Sequence, residues 1–413
     1  MNDSIRKEIN AVNKYESEVC SVFEARFGHA PARTFFAPGR VNLIGEHIDY
    51  NGGRVMPCSL SLGTYAAASP RADGRIRLVS ADMRGGVIEA DIGAVSALEC
   101  RPECFSGFGW AAYPLGVAAK LASRSHSIGG FEMAVCGSLP RGSGLSSSAS
   151  LEVLTCAVLK ELFGLTLDGV SASLLSLEAE RDCAGVNCGI MDQFVCAMGR
   201  RGAAVLLDTH TLEYGYFPFD PGENVLLIMN TKKPRRLADS KYNERRAECE
   251  EALRLIGGLF EPQKTALCEI TPEEFASVSA VLPEPLLRRA RHAVTENRRT
   301  LEAAEALEAG DIARLGRLIN ASHDSLRDDY EVTGRALDTI VEAARSHPAV
   351  LGARMTGAGF GGCAIAIAER SAAEDVIAHV SALYRSRIGY DCEIYTAETG
   401  DAPFGKDDND ENC

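Results

Sequence analysis

The run Leu139-Pro140-Arg141-Gly142-Ser143-Gly144-Leu145-Ser146-Ser147-Ser148-Ala149-Ser150 constrains this chain more than any other stretch. It opens a helix: Leu151, Leu154, Val158 and Leu162 follow at steps of three, four and four, Glu152, Lys160 and Glu161 lie off that stripe, and Gly164 can cap the end. Small residues at a helix N-terminus leave four unpaired backbone N–H groups and the positive end of the dipole facing open space, which is an anion cradle. Its serine hydroxyls can bond phosphate oxygens or take a place around Mg2+. An ordinary serine cap behind a loop is the bland alternative. The lack of a lysine in a G-x-x-x-x-G-K-[ST] arrangement excludes a Walker-type loop.

Two further segments concentrate glycine. Gly357-Ala358-Gly359-Phe360-Gly361-Gly362 formally matches G-x-G-x-x-G, but the alternating Cys363–Ala368 run after it reads as a strand rather than a helix, so the dinucleotide fingerprint fails on context. In Gly39-Arg40-Val41-Asn42-Leu43-Ile44-Gly45-Glu46-His47-Ile48-Asp49-Tyr50-Asn51, Glu46, His47 and Asp49 crowd a short glycine-bounded stretch. Carboxylates accept hydrogen bonds only, and a polyol leaving water needs several fixed acceptors, so this crowding suits a sugar; a solvated loop is the alternative. Asp192 stands between Met191 and Phe194, where partial desolvation would make it a better base and a neighbouring guanidinium would hold it ionised. A helix cap or surface position is the other reading of Asp192, and a solvated helix face that of Glu180.

Length and charge bound the partners. The 413 residues suffice for two or three domains, and a formal net charge of −14 leaves no positive field for nucleic acid or anionic membranes. A nucleotide stays possible, because backbone amides, a metal ion and one or two local cations can do that work. The polar start Met1–Glu8 has no apolar run behind it, no stretch of about 18 apolar residues occurs, and the 14 cysteines lack a paired C-x-x-C. The expectation is a cytoplasmic protein with reduced thiols and no structural zinc. Residues 1–30 read as a helix, and Tyr65–Ala68, Ile76–Val79, Ala203–Leu207 and Val225–Met229 as strands. The turn-rich Phe217–Gly222 marks a boundary, giving expected domains of 1–215 and 216–400, the second of helices on a sheet, and a disordered acidic tail over 401–413.

Taken in order, these segments resemble the GHMP small-molecule kinases, and Gly39–Asn51 narrows the resemblance to their galactokinase branch. Pro140–Ser150 is similar to the family's ATP motif and Met355–Cys363 to its third motif. Gly189–Gln193, Ser240–Arg246 and Ser325–Val332 match further patterns of that branch. The resemblance implies an α+β GHMP-kinase fold, with an N-terminal domain like the ribosomal S5 domain 2 and a ferredoxin-like C-terminal domain. By position, Gly142, Ser143, Gly144, Leu145, Ser146, Ser147 and Ser148 would wrap the ATP phosphates, Ser148 and Glu180 would hold Mg2+, and Ser80 would touch the nucleotide. Glu46, His47, Ile48 and Asp49, with Gly189 and Tyr242, would bind the hexose, while Asp192 would take the proton of its anomeric hydroxyl beside Arg40. The implied activity is ATP-dependent phosphorylation of D-galactose at C1. The alternatives are an N-acetylgalactosamine or other hexose 1-kinase, since Ile48 stands where many members have Thr, and a non-catalytic sugar and ATP sensor. Sensors of that kind lack the Ser-Ala pair that Ser148-Ala149 supplies. The implied partners are small molecules alone, and a monomer is compatible with the sequence.

Overall fold

The computed structural model describes residues 3–140, 144–233 and 238–405. The roles expected of Gly142 and Ser143, and the tail from 406 onward, lie outside the described residues. Eleven strands are described: β1 Arg33–Ile44, β2 Arg54–Arg71, β3 Arg75–Ser80, β4 Ile88–Asp91, β5 Gly130–Gly137, β6 Ala203–Asp208, β7 Tyr214–Pro218, β8 Asn224–Asn230, β9 Val350–Thr356, β10 Cys363–Glu369 and β11 Glu393–Ala397. The first seven form one sheet in the order β4-β3-β5-β2-β6-β7, with β1 paired antiparallel to β2. The other four form a second sheet in the order β11-β8-β10-β9, all antiparallel. Numbered along the chain this is 4-1-3-2, the strand order of a ferredoxin-like sheet.

Side-chain alternation sets which face of each strand is covered. Along β10, Ala364, Ala366 and Ala368 join the large core with residues of helices Arg335–Arg345 and Ala373–Ile388. The intervening Ile365 and Ile367 face the other way and pack with Val41, Leu43, Met56 and Leu60 of β1 and β2. Alanine lets the helices lie close, while isoleucine fills the seam between the two sheets. On β2, Ala66 and Ala68 face the large core, whereas Tyr65 and Ala67 lie under Val19 and Phe23 of the N-terminal helix Asp3–Phe27.

The first sheet runs through Pro218, slightly past residue 215, and the second begins at Asn224. Residues 401–405 correct the expectation of disorder from 401 onward. The Ala402 and Phe404 N–H groups donate to the Gly199 and Ala197 carbonyls at 3.0 Å each, so backbone pairing anchors this stretch to the first domain. Among the described residues no helix is long and apolar enough to cross a membrane.

A buried charge network at the seam helps to place the loop after β1. Glu296, fully buried on the helix Leu286–Glu308, accepts from the Gly45 N–H at 3.0 Å, the Ser322 hydroxyl at 2.5 Å and Arg299 Nε at 2.8 Å. Burial alone would push its carboxyl up, but Arg299, His292 and Arg354 outweigh burial and hold it at about 2, against an ordinary 4.5. A carboxyl depressed in the fold adds stability above its unfolded value, and that stability fades as pH falls from about 4.5 toward 2. Glu296→Ala should cost about 3–5 kcal/mol in urea unfolding, because it strands Arg299 without its partner. Glu296→Gln should flatten the loss of stability over that acid window; an unchanged acid limb would show that this carboxyl is not what acid titrates.

Candidate active site

A cleft of about 800 Å³ opens between the two sheets, lined on one side by the β1 end and the serine loop and on the other by Asn230, Lys232, Lys233, Tyr242 and Gly357-Ala358. Arg40 enters it from β1, where the pairing register with β2 shifts between Pro38 and Arg40. Such irregularities re-aim a side chain. Asp192 enters from the first turn of the helix Met191–Met198. These residues, 152 positions apart, meet as a two-pronged pair, with Arg40 Nε donating to Asp192 Oδ1 at 2.8 Å and Nη2 to Oδ2 at 2.6 Å. The remaining prong, Nη1, donates to the Gly144 carbonyl at 2.9 Å, so one guanidinium joins the acid to the glycine loop. Arg40 is 4% exposed as a residue, while the Asp192 side chain keeps 28% of its surface open toward the cleft. Gly39 is required by this approach: a Cβ there would stand 2.6 Å from the Leu145 carbonyl oxygen.

The helix Ser147–Phe163 starts at the cleft, as the glycine and serine run predicts, and ends on Gly164 in the left-handed region. Ser147 and Ser148 line the cleft at its N-terminus. Ser146, at φ 61°, donates its hydroxyl to Asp192 Oδ2 at 2.6 Å. Leu145 is instead a core residue in the seam, tied to the loop's geometry through its carbonyl, which accepts from the Arg40 N–H. Ser80 is not among the described residues that line this cleft, and its hydroxyl accepts from the Asp82 and Met83 N–H groups in a turn beyond β3.

Glu180 sits where the helix Gly169–Ala179 passes into a π turn over Glu180–Ala184, a widening frequent at functional sites. It accepts from the Ser148 hydroxyl and the Gln193 amide, and burial followed by the Asp192 charge pushes its carboxyl up. A hydroxyl and a carboxylate oxygen facing one cleft are hard donors, a set that fits Mg2+ completed by water and phosphate oxygens. Beneath them lies Glu152, fully buried, which accepts from the same Gln193 amide at 3.3 Å. Reading Glu152 simply as off the apolar stripe missed this, because residues Ala149–Leu159 of that helix are enclosed on every side.

The other half of the cleft is the loop after β1. Asp49 accepts from backbone N–H groups of its own turn, and burial, then the Asp192 and Glu46 charges, raise its carboxyl from 3.8 to about 7. Gly189 borders it so closely that a Cβ would fall 1.8 Å from Asp49 Oδ2. Glu46 lines the cleft but is also held by protein donors, the Gly357 N–H at Oε1 and the Asn42 amide (2.6 Å) and Arg354 at Oε2. His47, at φ 62°, has both ring nitrogens engaged. Nε2–H donates to the Ala358 carbonyl at 3.2 Å, so Nδ1 accepts from the Tyr50 hydroxyl at 2.8 Å. Burial and then His292 lower its pKa to about 3, so the ring is neutral. It is a strut more than a hydroxyl ligand. Tyr242 lines the cleft with its ring 5.5 Å from that of His47. Ile48 is not at the cleft; it is fully buried and packs against Gly53.

Arg354, Asn42 and Tyr330 escaped the sequence reading. Tyr330 reaches Tyr50 by a hydroxyl contact of 2.9 Å. Arg354 offered a signal, a single charge in the strand before the third glycine segment, but its partners are far off in the chain.

Residues 21–70 match the galactokinase galactose-binding signature, 112–200 the GHMP kinases N-terminal domain and 303–386 the GHMP kinases C-terminal region. A galactokinase of Lactiplantibacillus plantarum is 45% identical over 390 residues, 94% of this chain and 98% of that protein. One of Exiguobacterium sibiricum is 48% identical over 92% of this chain and 95% of its own length. The crystal structure of Lactococcus lactis galactokinase complexed with galactose superposes with a TM-score of 0.88 at 42% identity, covering 94% of this chain and 98% of that one. A mevalonate kinase, at 17% identity and a TM-score of 0.64, shares the fold over 89% of this chain and 99% of its own. With its signature loop, serine-headed helix and third glycine segment all facing one cleft, this chain belongs to the galactokinase family of GHMP kinases.

Proposed function

We propose that the chain transfers the γ-phosphoryl group of ATP to the anomeric C1 hydroxyl of D-galactose, giving galactose 1-phosphate and ADP. The observation that carries this reading is the Arg40–Asp192 pair facing a cleft whose one end is a helix N-terminus and whose other end is a set of carboxylates. The free thiols among the described residues suit the reducing cytoplasm, where ATP is at hand.

The residues divide the work. The N–H groups at the start of the Ser147–Phe163 helix, with the Ser147 and Ser148 hydroxyls, bind phosphate oxygens. Ser148 and Glu180 would hold Mg2+, which supplies positive charge to the β- and γ-phosphates. Asp49 and Glu46 accept sugar hydroxyls, and Gly189 leaves the room Asp49 needs. With the sugar in place, Asp192 accepts the C1 hydroxyl proton as the O1–P bond forms and the bond from phosphorus to the ADP oxygen breaks. Arg40 orients Asp192 through two contacts and places its charge beside the group in transfer. Phosphoryl transfer asks for positioning and charge more than covalent help, which is what this cleft offers.

Purified protein with Mg-ATP should release ADP with galactose. Release with N-acetylgalactosamine alone would move the assignment to that sugar, and sugar binding without turnover would make the chain a sensor. Asp192→Asn should keep galactose affinity within a few-fold while losing about 10²–10⁴ in kcat, and near-normal turnover would remove Asp192 as the base. Because Asp49 titrates near 7 and hydroxyl donors favour its ionised form, galactose binding should release protons between about pH 6 and 7 and tighten as pH rises. Calorimetry in buffers of different ionisation enthalpy reads that release; it should vanish in Asp49→Asn, and proton uptake by the native protein would contradict the assignment.

A further inference from the structure

We infer that Arg354 is a positioning residue for sugar recognition: with Asn42 and the Gly357 N–H it holds the Glu46 carboxylate so that one acceptor direction is left for one sugar hydroxyl. The inference rests on the galactose reading above and deepens it. It also gives the third glycine segment a task at the sugar end of the cleft.

A carboxylate has about four acceptor directions, two on each oxygen. Glu46 Oε2 receives the Asn42 amide at 2.6 Å and Arg354 Nη2, and Oε1 receives the Gly357 N–H. Three of the four are thus taken by protein, and the residue still lines the cleft at 2% exposure. Arg354 is itself fixed: it is wholly buried on β9, its Nη1 donates to the Leu43 carbonyl at 3.0 Å and its Nε to the Met355 carbonyl at 2.7 Å. Nη1 also lies 4.0 Å from Glu296, whose carboxylate accepts from the Gly45 N–H. The adjoining residues repeat the pattern. Thr356 Oγ1 accepts from the Asn42 N–H at 3.1 Å and donates to the Asn42 carbonyl at 3.2 Å, and the Ala358 carbonyl holds His47. Arg354, Thr356, Gly357 and Ala358 thus each reach the Asn42–His47 stretch beside the first sheet. A guanidinium is needed at 354 because a single ammonium cannot address two carbonyls and a carboxylate in fixed directions.

The test uses the full chain and galactose alone, with calorimetric affinities for galactose and its monodeoxy analogues and, separately, for a non-hydrolysable ATP analogue. Arg354→Lys should weaken galactose at least tenfold and leave the ATP analogue within twofold. One monodeoxy sugar, the one lacking the hydroxyl that Glu46 reads, should bind native protein and variant alike, while the others keep the tenfold difference. If Arg354→Lys does not fold, as judged by circular dichroism, Asn42→Ala removes the other donor on Oε2 and should give the same pattern in reduced size. Galactose affinity within twofold of native in the folded variant, an equal loss for the ATP analogue, or a uniform loss across all deoxy sugars would each overturn the role of Arg354. A native protein that fails to bind galactose would overturn the sugar reading itself.

Discussion

The arrangement of the cleft depends on how one arginine is used. Arg40 spends all three nitrogens, two on Asp192 and one on the Gly144 carbonyl, so the strand, the acid-bearing helix and the glycine loop share a single rigid fork. A lysine would provide the charge without the geometry. Because the pair is nearly closed off on the arginine side and open on the aspartate side, the acid is held in place yet remains reachable by a substrate hydroxyl. The Ser146 hydroxyl on Asp192 Oδ2 adds a third tie from the loop that heads the helix Ser147–Phe163.

Around that fork the carboxylates are sorted by their neighbours. Asp192 has a guanidinium, Glu180 has a serine hydroxyl and an amide, Glu46 has three protein donors, and Asp49 has backbone N–H groups of its own turn. Glu152 lies deepest and is pushed up first by burial and then by Glu180. The same chemical group therefore takes different parts in one small volume because burial and partners differ. Gln193, next to Asp192 in the chain, donates to both Glu180 and Glu152 and so couples these two carboxylates to the helix that carries Asp192.

Much of this was readable in the chain. The serine run, its helix and the Gly164 cap follow from local periodicity and turn chemistry, and the Cys363–Ala368 alternation announced a strand, which the fold then covers on both faces. The first half of the signature was harder: Arg33–Ile44 is one long strand, but its apolar residues are interrupted by Arg40 and Asn42, both buried and both partnered elsewhere. Polar residues in a buried strand hide the strand from any pattern based on hydrophobicity. Ile48 shows the converse, an apolar residue inside a polar motif that goes to the core rather than to the ligand.

By itself, then, the order of residues settled the kinds of groups available: an anion-binding helix start, a cluster of acceptors, one candidate base and the glycines that let backbone come close. Local sequence can do this because turns, caps and periodicity are decided over a few residues. Which groups meet was decided only by folding. Arg354 lies 308 positions from Glu46, and Glu296 lies 251 from Gly45, and nothing in their neighbourhoods names the partner. Such charges tolerate burial only once the two sheets have packed and brought the opposite charges and N–H groups within hydrogen-bonding distance, so their roles belong to the tertiary structure.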